Sequence, residues 1–152
     1  MDSVMGGSSI GAIEQFPDYV HFTGTLNLID GGFAGFRGYI DQKLTGYEGK
    51  KFRKAVSIFE VLRVSGRTPN IGRAFQVGVS RNNGGTWYHP LSLESEFKSF
   101  EVKFNDFKYK YHGQPDDSIP PPVGSQIRKV QISISDKNTA LFEADINIIQ
   151  GI

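Results

Sequence analysis

Apolar residues recur at every second position along most of this chain, and this alternation constrains its fold more than any other feature. In residues 19–29, Val20, Phe22 and Leu26 alternate with polar side chains. Because side chains two residues apart lie on the same face of a strand, the pattern predicts a half-buried antiparallel strand. The same alternation returns in residues 73–80, 99–104, 129–135 and 141–149. No segment shows an apolar stripe with the helical period of about 3.6 residues.

Three more segments are predicted to be strands because they are apolar or β-branched and lie next to turn-forming residues. They are residues 33–40, 55–64 and 86–93. The longest segment without alternation, residues 105–126, contains three consecutive prolines and is predicted to be an irregular loop, either functional or crossing a sheet edge. About nine short strands joined by glycine-rich turns predict an all-β protein, a β-sandwich or barrel forming a single domain over residues 1–152.

The composition excludes several classes of protein. A net charge of +1 argues against a protein held to nucleic acid mainly by phosphate contacts, which need a basic excess. The chain has no cysteine, and therefore no disulfide, thiolate nucleophile or cysteine-ligated metal. No apolar run approaches the ~18 residues that span a bilayer, which predicts a protein without membrane insertion. The first residues resemble neither a secretory signal nor an amphipathic presequence.

Glycine-rich stretches, histidines and paired acids are the features that could carry catalysis, and each lacks the pattern that its chemistry needs. Neither GGSSIG nor DGGFAGFRG continues into the Gly-Lys-Ser/Thr of a phosphate-binding loop. His21, His89 and His112 lack metal-ligand spacing, and Asp116 and Asp117 alone offer fewer oxygens than calcium takes. There is no Gly-x-Ser-x-Gly nucleophile turn. We predict no catalytic residue, metal site or cofactor, and an enzyme on this fold is the third interpretation.

Aromatic residues near the loops are the candidates for binding. Exposed rings on a β-sandwich can stack on sugar rings. The alternative is that Trp87 fills the core and that the tyrosines surround it. Two further candidate contacts are the proline-rich loop and the basic stretch KYKYH at residues 108–112. The predicted binding residues are Trp87, Tyr88, Lys108, Tyr109, Tyr111 and Pro121.

Several short motifs follow one another along the chain. DSVMGGSS begins at Asp2, and GGFAGFR begins at Gly31. LTGYEG, the pair Phe104 and Phe107, and ISDK before the last predicted strand complete the series. In this order and spacing, the sequence resembles the complex I intermediate-associated protein 30 family over nearly the whole chain.

This resemblance implies both a fold and a function. The fold is a galactose-binding-like β-sandwich jelly roll, similar to some carbohydrate-binding modules. The function is that of a non-enzymatic module that binds protein subunits of a large respiratory or photosynthetic complex. It would serve as an assembly factor or chaperone, or as an accessory or linker subunit, in the mitochondrial matrix or a plastid. A carbohydrate-binding module on the same fold is the alternative.

The motif residues are expected to form one structural device. The glycines let the entry loop turn against the sheet, and Met5 fits into apolar surface. Arg37 is expected to bridge a carboxylate of Asp2 or Asp136 bidentately. DSVMGGSS is therefore predicted to be a turn fixed to the body of the fold. The family motifs fall on Asp2, Val4, Met5, Gly6, Gly7, Ser9, Gly31, Gly32, Phe33, Arg37, Asp136 and Lys137.

Overall fold

Two antiparallel sheets organise the chain. The computed structural model describes residues 2–6, 10–27, 33–39, 61–81, 84–111, 113–122 and 127–151. The strands in this part are β1 (Asp2–Gly6), β2 (Ile10–Gln15), β3 (Val20–Thr25), β4 (Phe33–Tyr39), β5 (Val61–Arg67), β6 (Phe75–Ser80), β7 (Thr86–Leu91), β8 (Lys98–Lys103), β9 (Lys108–Tyr111), β10 (Gln114–Pro115), β11 (Lys129–Ile134) and β12 (Phe142–Gly151). Apart from a 3-10 turn at Phe104–Asp106, the described residues form no helix. The all-β prediction is confirmed.

The strands are ordered in space very differently from their order in the chain. The seven-stranded sheet runs β1-β4-β11-β6-β7-β9-β10, and the five-stranded sheet runs β2-β3-β12-β5-β8. Two late strands therefore lie inside the sheets, because β11 pairs with both β4 and β6, and β12 pairs with both β3 and β5. All of these pairings are antiparallel, as half-buried alternating strands favour.

The core lies between the two sheets and is formed by the inward members of the alternating pairs. Phe22 and Phe142 of the five-stranded sheet pack on Phe36 and Phe75 of the other, with ring centroids 5.2 Å apart for Phe22 and Phe36. The Phe75 and Phe142 rings meet edge to face at 6.4 Å. All four side chains are buried. Burying each contributes about 2–3 kcal/mol, and edge-to-face pairs add about 1 kcal/mol.

The first motif is a strand, which corrects the predicted turn. Asp2–Gly6 pairs with β4 along its whole length, so that Asp2 lies opposite Arg37 and Gly6 opposite Phe33. The stretch DSVMGG lacks an alternating apolar face, so the period of two gave no signal there. Strand β2 was not predicted either, since Gly11, Ala12 and Glu14 interrupt its apolar positions.

The predicted loop at residues 105–126 also contains structure. Strand β9 pairs with β7 and β10, whereas residues 116–122 run without strand pairing. The prediction of a loop is therefore wrong for residues 108–111 and 114–115. The strand predicted over residues 55–64 begins at Val61 in the described part of the chain and continues to Arg67. Residues 55–60 lie outside the described residues.

Candidate interaction surface

Trp87 lies in the core and not on the surface. Its side chain is 2% exposed and packs edge to face on the ring of Tyr109, with centroids 5.2 Å apart. Its indole N–H donates a hydrogen bond of 2.9 Å to the carbonyl oxygen of Pro120. The structure therefore corrects the expectation that Trp87 contacts a partner directly. Trp87 instead supports the proline-rich segment from beneath.

The proline-rich segment is attached to the core at several points. Ile119 packs against the core and Pro122 is buried, while Pro121 is exposed. Before it, the carboxylate of Asp116 accepts hydrogen bonds from the Ser118 hydroxyl at 2.5 Å and from the Ser118 backbone N–H at 3.0 Å. These bonds, the side-chain one first, hold the pKa of Asp116 below its ordinary value. The segment therefore presents Pro121 on a fixed backbone.

The two tyrosines of β9 differ in exposure. Tyr109 is half-buried, and its hydroxyl accepts a hydrogen bond of 2.9 Å from the backbone N–H of Gly85. Tyr111 is 50% exposed, and Lys108 is exposed as well. His112 lies outside the described residues. Tyr109 thus holds the β6–β7 connection against β9, and Tyr111 and Lys108 are available on the surface.

Strands β11, β6, β7 and β9 present an outward face that we call the lysine–tyrosine face. The register aligns two rows of side chains across it. One row is Gln131, Gly78, Tyr88 and Lys108, and the other is Lys129, Ser80, Thr86 and Lys110. Neither row contains a carboxylate.

Tyr88 reaches across the neighbouring strand on this face. Its hydroxyl accepts a hydrogen bond of 3.4 Å from the amide of Gln131, on the far side of β6. Gly78 on β6 leaves room for this ring, because a Cβ there would lie 3.2 Å from Cδ1 of Tyr88 and 3.1 Å from Cγ of Gln131. The Lys110 ammonium lies 5.8 Å from the centroid of the Tyr88 ring, within cation–π range. The half-buried ring is therefore fixed in position.

The outward face of the five-stranded sheet carries several paired charges, although Lys103 and Glu143 on the same face form no ion pair with a described residue. The Asp145 carboxylate accepts a hydrogen bond of 2.6 Å from Nδ1 of His21 and one of 2.7 Å from Nε of Arg67. Arg63 and Glu101 form a further ion pair at 2.8 Å. His21 is thus paired on the polar side of β3.

Arg73 and Asp136 form the most enclosed ion pair among the described residues. The guanidinium donates to both carboxylate oxygens, at 2.7 and 3.0 Å, and to the carbonyl oxygens of Asn138 and Ala140. Burial raises the pKa of Asp136, but the hydrogen bonds from Arg73 and from the backbone N–H groups of Ala74 and Asn138 hold it below its ordinary value. Asp136 is thus bound by Arg73, and the side chain of Arg37, which was expected to bridge Asp2 or Asp136, lies outside the description.

Some of the other family-motif residues lie in described strands and turns, and the rest lie outside the described residues. Lys137 adopts a left-handed φ of 60°, which completes the turn after β11. Phe33 begins β4 and is half-buried. The register sets Asp2 opposite Arg37, and Val4 and Met5 lie in β1. The predicted positions outside the described residues are Gly7, Ser9, Gly31 and Gly32.

Sequence reasoning missed Arg73, Gln131 and Lys110 as single residues. Lys110 lies inside the basic stretch KYKYH. The sequence therefore indicated this stretch as a candidate contact but did not distinguish Lys110 within it. Arg73 lies 63 positions from Asp136, and Gln131 lies 43 positions from Tyr88. Local patterns carry no signal for contacts of such separation.

Two further findings concern the described part of the chain. It holds no group of three or more histidine, cysteine, aspartate or glutamate side chains placed to bind a metal ion. It also includes no helix with the length and hydrophobicity to cross a bilayer.

A sequence model of the complex I intermediate-associated protein 30 family matches residues 1–146. The chain belongs to this family. No curated protein matches the chain by sequence. The resemblance carried by DSVMGGSS, GGFAGFR and ISDK is thereby confirmed.

Solved structures with the same fold include carbohydrate-binding modules. The family 11 module from Clostridium thermocellum, in complex with a β-1,3-1,4-mixed-linked tetrasaccharide, is similar at a TM-score of 0.69 and 13% identity, over 97% of this chain and 85% of that one. The family 11 module of the cellulosomal cellulase Lic26A-Cel5E of the same organism gives 0.70 and 14%, over 99% and 86%. An exo-β-agarase gives 0.56 and 10%, over 97% of this chain and 23% of that one. The fold is a β-sandwich of the jelly-roll type.

Proposed function

We propose that this chain is a non-enzymatic protein-binding module that acts in building, or as an accessory or linker subunit of, a large respiratory or photosynthetic complex in an organelle. The observation that carries this proposal is the family match over residues 1–146, since the family takes its description from complex I intermediates. The surface available for such contacts combines Tyr88, Lys108, Tyr111 and Pro121. Tyr88, Lys108 and Tyr111 lie on paired strands, and Pro121 follows Pro120, whose carbonyl oxygen accepts a hydrogen bond from Trp87, which favours a preformed interface with little ordering cost.

Native affinity purification tests this function. The full chain, tagged at its C-terminus, is expressed in its own organism, and membranes are solubilised in mild detergent before mass spectrometry. Stoichiometric recovery of subunits of one multi-subunit respiratory or photosynthetic complex is the expected result. Recovery of the tagged chain alone, from fractions in which that complex is intact, would contradict the proposal.

A carbohydrate-binding module is the second candidate function. It is favoured by the fold shared with modules that bind sugars and by the fixed ring of Tyr88, which lies beside Gln131 and Thr86 on an outward sheet face. The buried Trp87 removes the largest ring that was expected to stack on a sugar. Calorimetric titration with the β-1,3-1,4-mixed-linked tetrasaccharide separates the candidates. Saturable binding that is lost in Tyr88→Ala and retained in Tyr111→Ala would support the sugar-binding function.

A further inference from the structure

The outward faces of the two sheets differ in the ion pairs that their charged side chains form. On the five-stranded sheet, the carboxylates of Asp145 and Glu101 each accept hydrogen bonds from cationic partners. On the lysine–tyrosine face, Lys108 and Lys110 form no ion pair with any described residue. The chain as a whole is nearly neutral, with a net charge of +1. The charge of this face is therefore a local feature that the overall composition conceals.

The outward positions of β11, β6, β7 and β9 contain no acidic residue. They are Lys129, Gln131, Gln76, Gly78, Ser80, Thr86, Tyr88, Pro90, Lys108 and Lys110, whereas Ser133, which shares their alternation, is buried. Strands of one sheet lie about 4.8 Å apart, so β9 and β11 border a polar centre about 14 Å wide, and Lys108 and Lys110 lie at its β9 border. Cations without internal counter-ions at the border of a polar surface favour binding of an anionic group.

The centre of this face offers the fixed aromatic ring of Tyr88 next to Lys108 and Lys110. The ring of Tyr88 extends over Gly78 to Gln131, and Lys110 lies against the ring. Tyrosine loses little conformational entropy on binding and is enriched among residues that dominate interface energies. A partner that matches this arrangement has carboxylates next to an apolar or aromatic residue.

We propose that the lysine–tyrosine face is the docking site for an acidic segment of a protein partner, with carboxylates on Lys108 and Lys110 and an apolar side chain on Tyr88. This inference rests on the proposed protein-binding function and names the chemistry of the partner. Charge complementarity selects an acidic segment, because nothing on the face would pair with a basic one. A lysine ammonium group binds a carboxylate as a point charge. The carboxylates of the partner can therefore approach Lys108 and Lys110 in more than one orientation.

Titration with a soluble acidic probe tests the site directly. We expect short poly-L-glutamate, added to isotopically labelled protein, to shift amide signals of β7 and β9 in a saturable manner and to lose affinity as salt is raised. The double variant Lys108→Gln/Lys110→Gln should bind about tenfold more weakly, as expected for the loss of two partly screened ion pairs.

A matched double variant controls for net charge. Lys103→Gln/Lys137→Gln removes the same two charges from exposed positions elsewhere on the surface. It should bind poly-L-glutamate within about twofold of the unaltered chain, since distant exposed charges are screened. Equal losses in the two double variants would show only a response to net charge and would overturn the proposal. Shifts that map to β2, β3 or β8 instead of the lysine–tyrosine face would also overturn it.

Two additional variants test the aromatic centre. Tyr88→Ala should weaken binding of an alternating poly(Glu-Tyr) probe more than that of poly-L-glutamate, because only the former offers an apolar contact. Ile71→Ala, which removes an exposed apolar side chain outside the face, serves as the control. If the mixed-linked tetrasaccharide shifts the signals of Tyr88 saturably and neither acidic probe does, the face is a sugar site and the acidic-segment proposal fails.

The closing experiment separates this inference from the proposed function. The affinity purification is repeated with the unaltered chain and the two double variants, each checked for unchanged thermal unfolding. Loss of the complex with Lys108→Gln/Lys110→Gln, and retention with the matched control, supports both proposals. Equal recovery with all three chains upholds the proposed function and overturns the docking site. Absence of the complex with the unaltered chain overturns the proposed function, and the probe titrations then decide the docking site alone.

Discussion

Arg73 is the residue that ties the loop between β11 and β12 to the start of β6. Its side chain is 6% exposed and that of Asp136 is 12% exposed, so both charges are largely removed from water. Such burial is tolerable only when each charged group finds hydrogen-bond partners. Here the guanidinium satisfies two carboxylate oxygens and two backbone carbonyls. The family motif residue Asp136 is thereby explained as a structural residue.

Arg73→Ala should destabilise the protein by about 3 kcal/mol, because it leaves the Asp136 carboxylate enclosed without its counter-ion. The free energy of unfolding is measured by urea denaturation. Arg81→Ala provides the control, since Arg81 is exposed and its loss should cost less than about 1 kcal/mol. Equal losses in the two variants would contradict the role assigned to Arg73.

The lowered pKa of Asp136 predicts a loss of stability in acid. The folded state holds this proton less tightly than the unfolded state, whose pKa is close to the ordinary 3.8. The stability that Asp136 contributes is therefore complete above about pH 5 and disappears as the pH falls through the lower folded-state pKa. The difference in unfolding free energy between the unaltered chain and Asp136→Asn should be constant from about pH 5 to 7 and shrink below about pH 4. A difference that grows in acid would reverse the sign of this argument.

Among the elements, the pairing of β7 with β9 requires glycine at position 85, just before β7. A Cβ at Gly85 would meet the carbonyl oxygen of Lys110 and would lie 2.8 Å from Cζ of Tyr109. Backbone atoms cannot move aside as a flexible side chain can. The close approach also permits the hydrogen bond from the Gly85 N–H to the Tyr109 hydroxyl.

Gly85→Ala should therefore push β9 away from β7, at a cost of about 2 kcal/mol. Amide hydrogen exchange of Lys108–Tyr111 should accelerate, whereas exchange in β5 and β12 should change only as far as global stability changes. Gln114→Ala, at an exposed position of β10, is expected to have little effect. Unchanged exchange in β9 of Gly85→Ala would show that the strands tolerate the added methyl group.

Sequence reasoning found the elements that have one apolar face and missed those that do not. Strand β3 alternates between buried and half-exposed positions, β6 and β11 do so apart from the buried Gly78 and Ser133, and the period of two revealed all three. Strand β9 alternates lysine with tyrosine, so its inward ring was hidden in what looked like a charged loop. Strand β1 offered glycine and serine, and its pairing with β4 depends on residues about thirty positions away. The strand propensity of a local segment contains no information about a pairing strand that lies so far away in the sequence.

At the scale of the whole molecule, one tryptophan reports on a core shared by both sheets. Trp87 is the only tryptophan in the chain, and it belongs to the same buried cluster as Phe22, Phe36 and Ile146. Because this cluster is continuous, unfolding is expected to be a single cooperative transition.

Tryptophan fluorescence and far-ultraviolet circular dichroism should therefore give coincident urea transitions. The emission of Trp87 reports the environment between β7, Tyr109 and Pro120, and the dichroism reports all strands. A fluorescence midpoint at lower urea than the dichroism midpoint would show that the β7–β9 edge unfolds separately.

The predicted binding residues were only partly those that the surface offers. Tyr88, Lys108, Tyr111 and Pro121 lie where a partner could touch them, and they remain proposals. Trp87 does not, because its size makes burial against Tyr109 and beneath Pro120 more favourable than exposure. The charge contrast between the two faces was invisible in the sequence, since it depends on which strands are neighbours.

The position of β12 has a consequence for how the newly synthesised chain folds. This strand lies in the middle of the five-stranded sheet, yet it is the last of the described strands to be synthesised. Until it arrives, β3 can pair only with β2 and β5 only with β8, so that each of these two strands has one unpaired edge. Contacts between residues so far apart in sequence form slowly. A newly made chain of this kind thus passes through a period in which it needs protection from other chains.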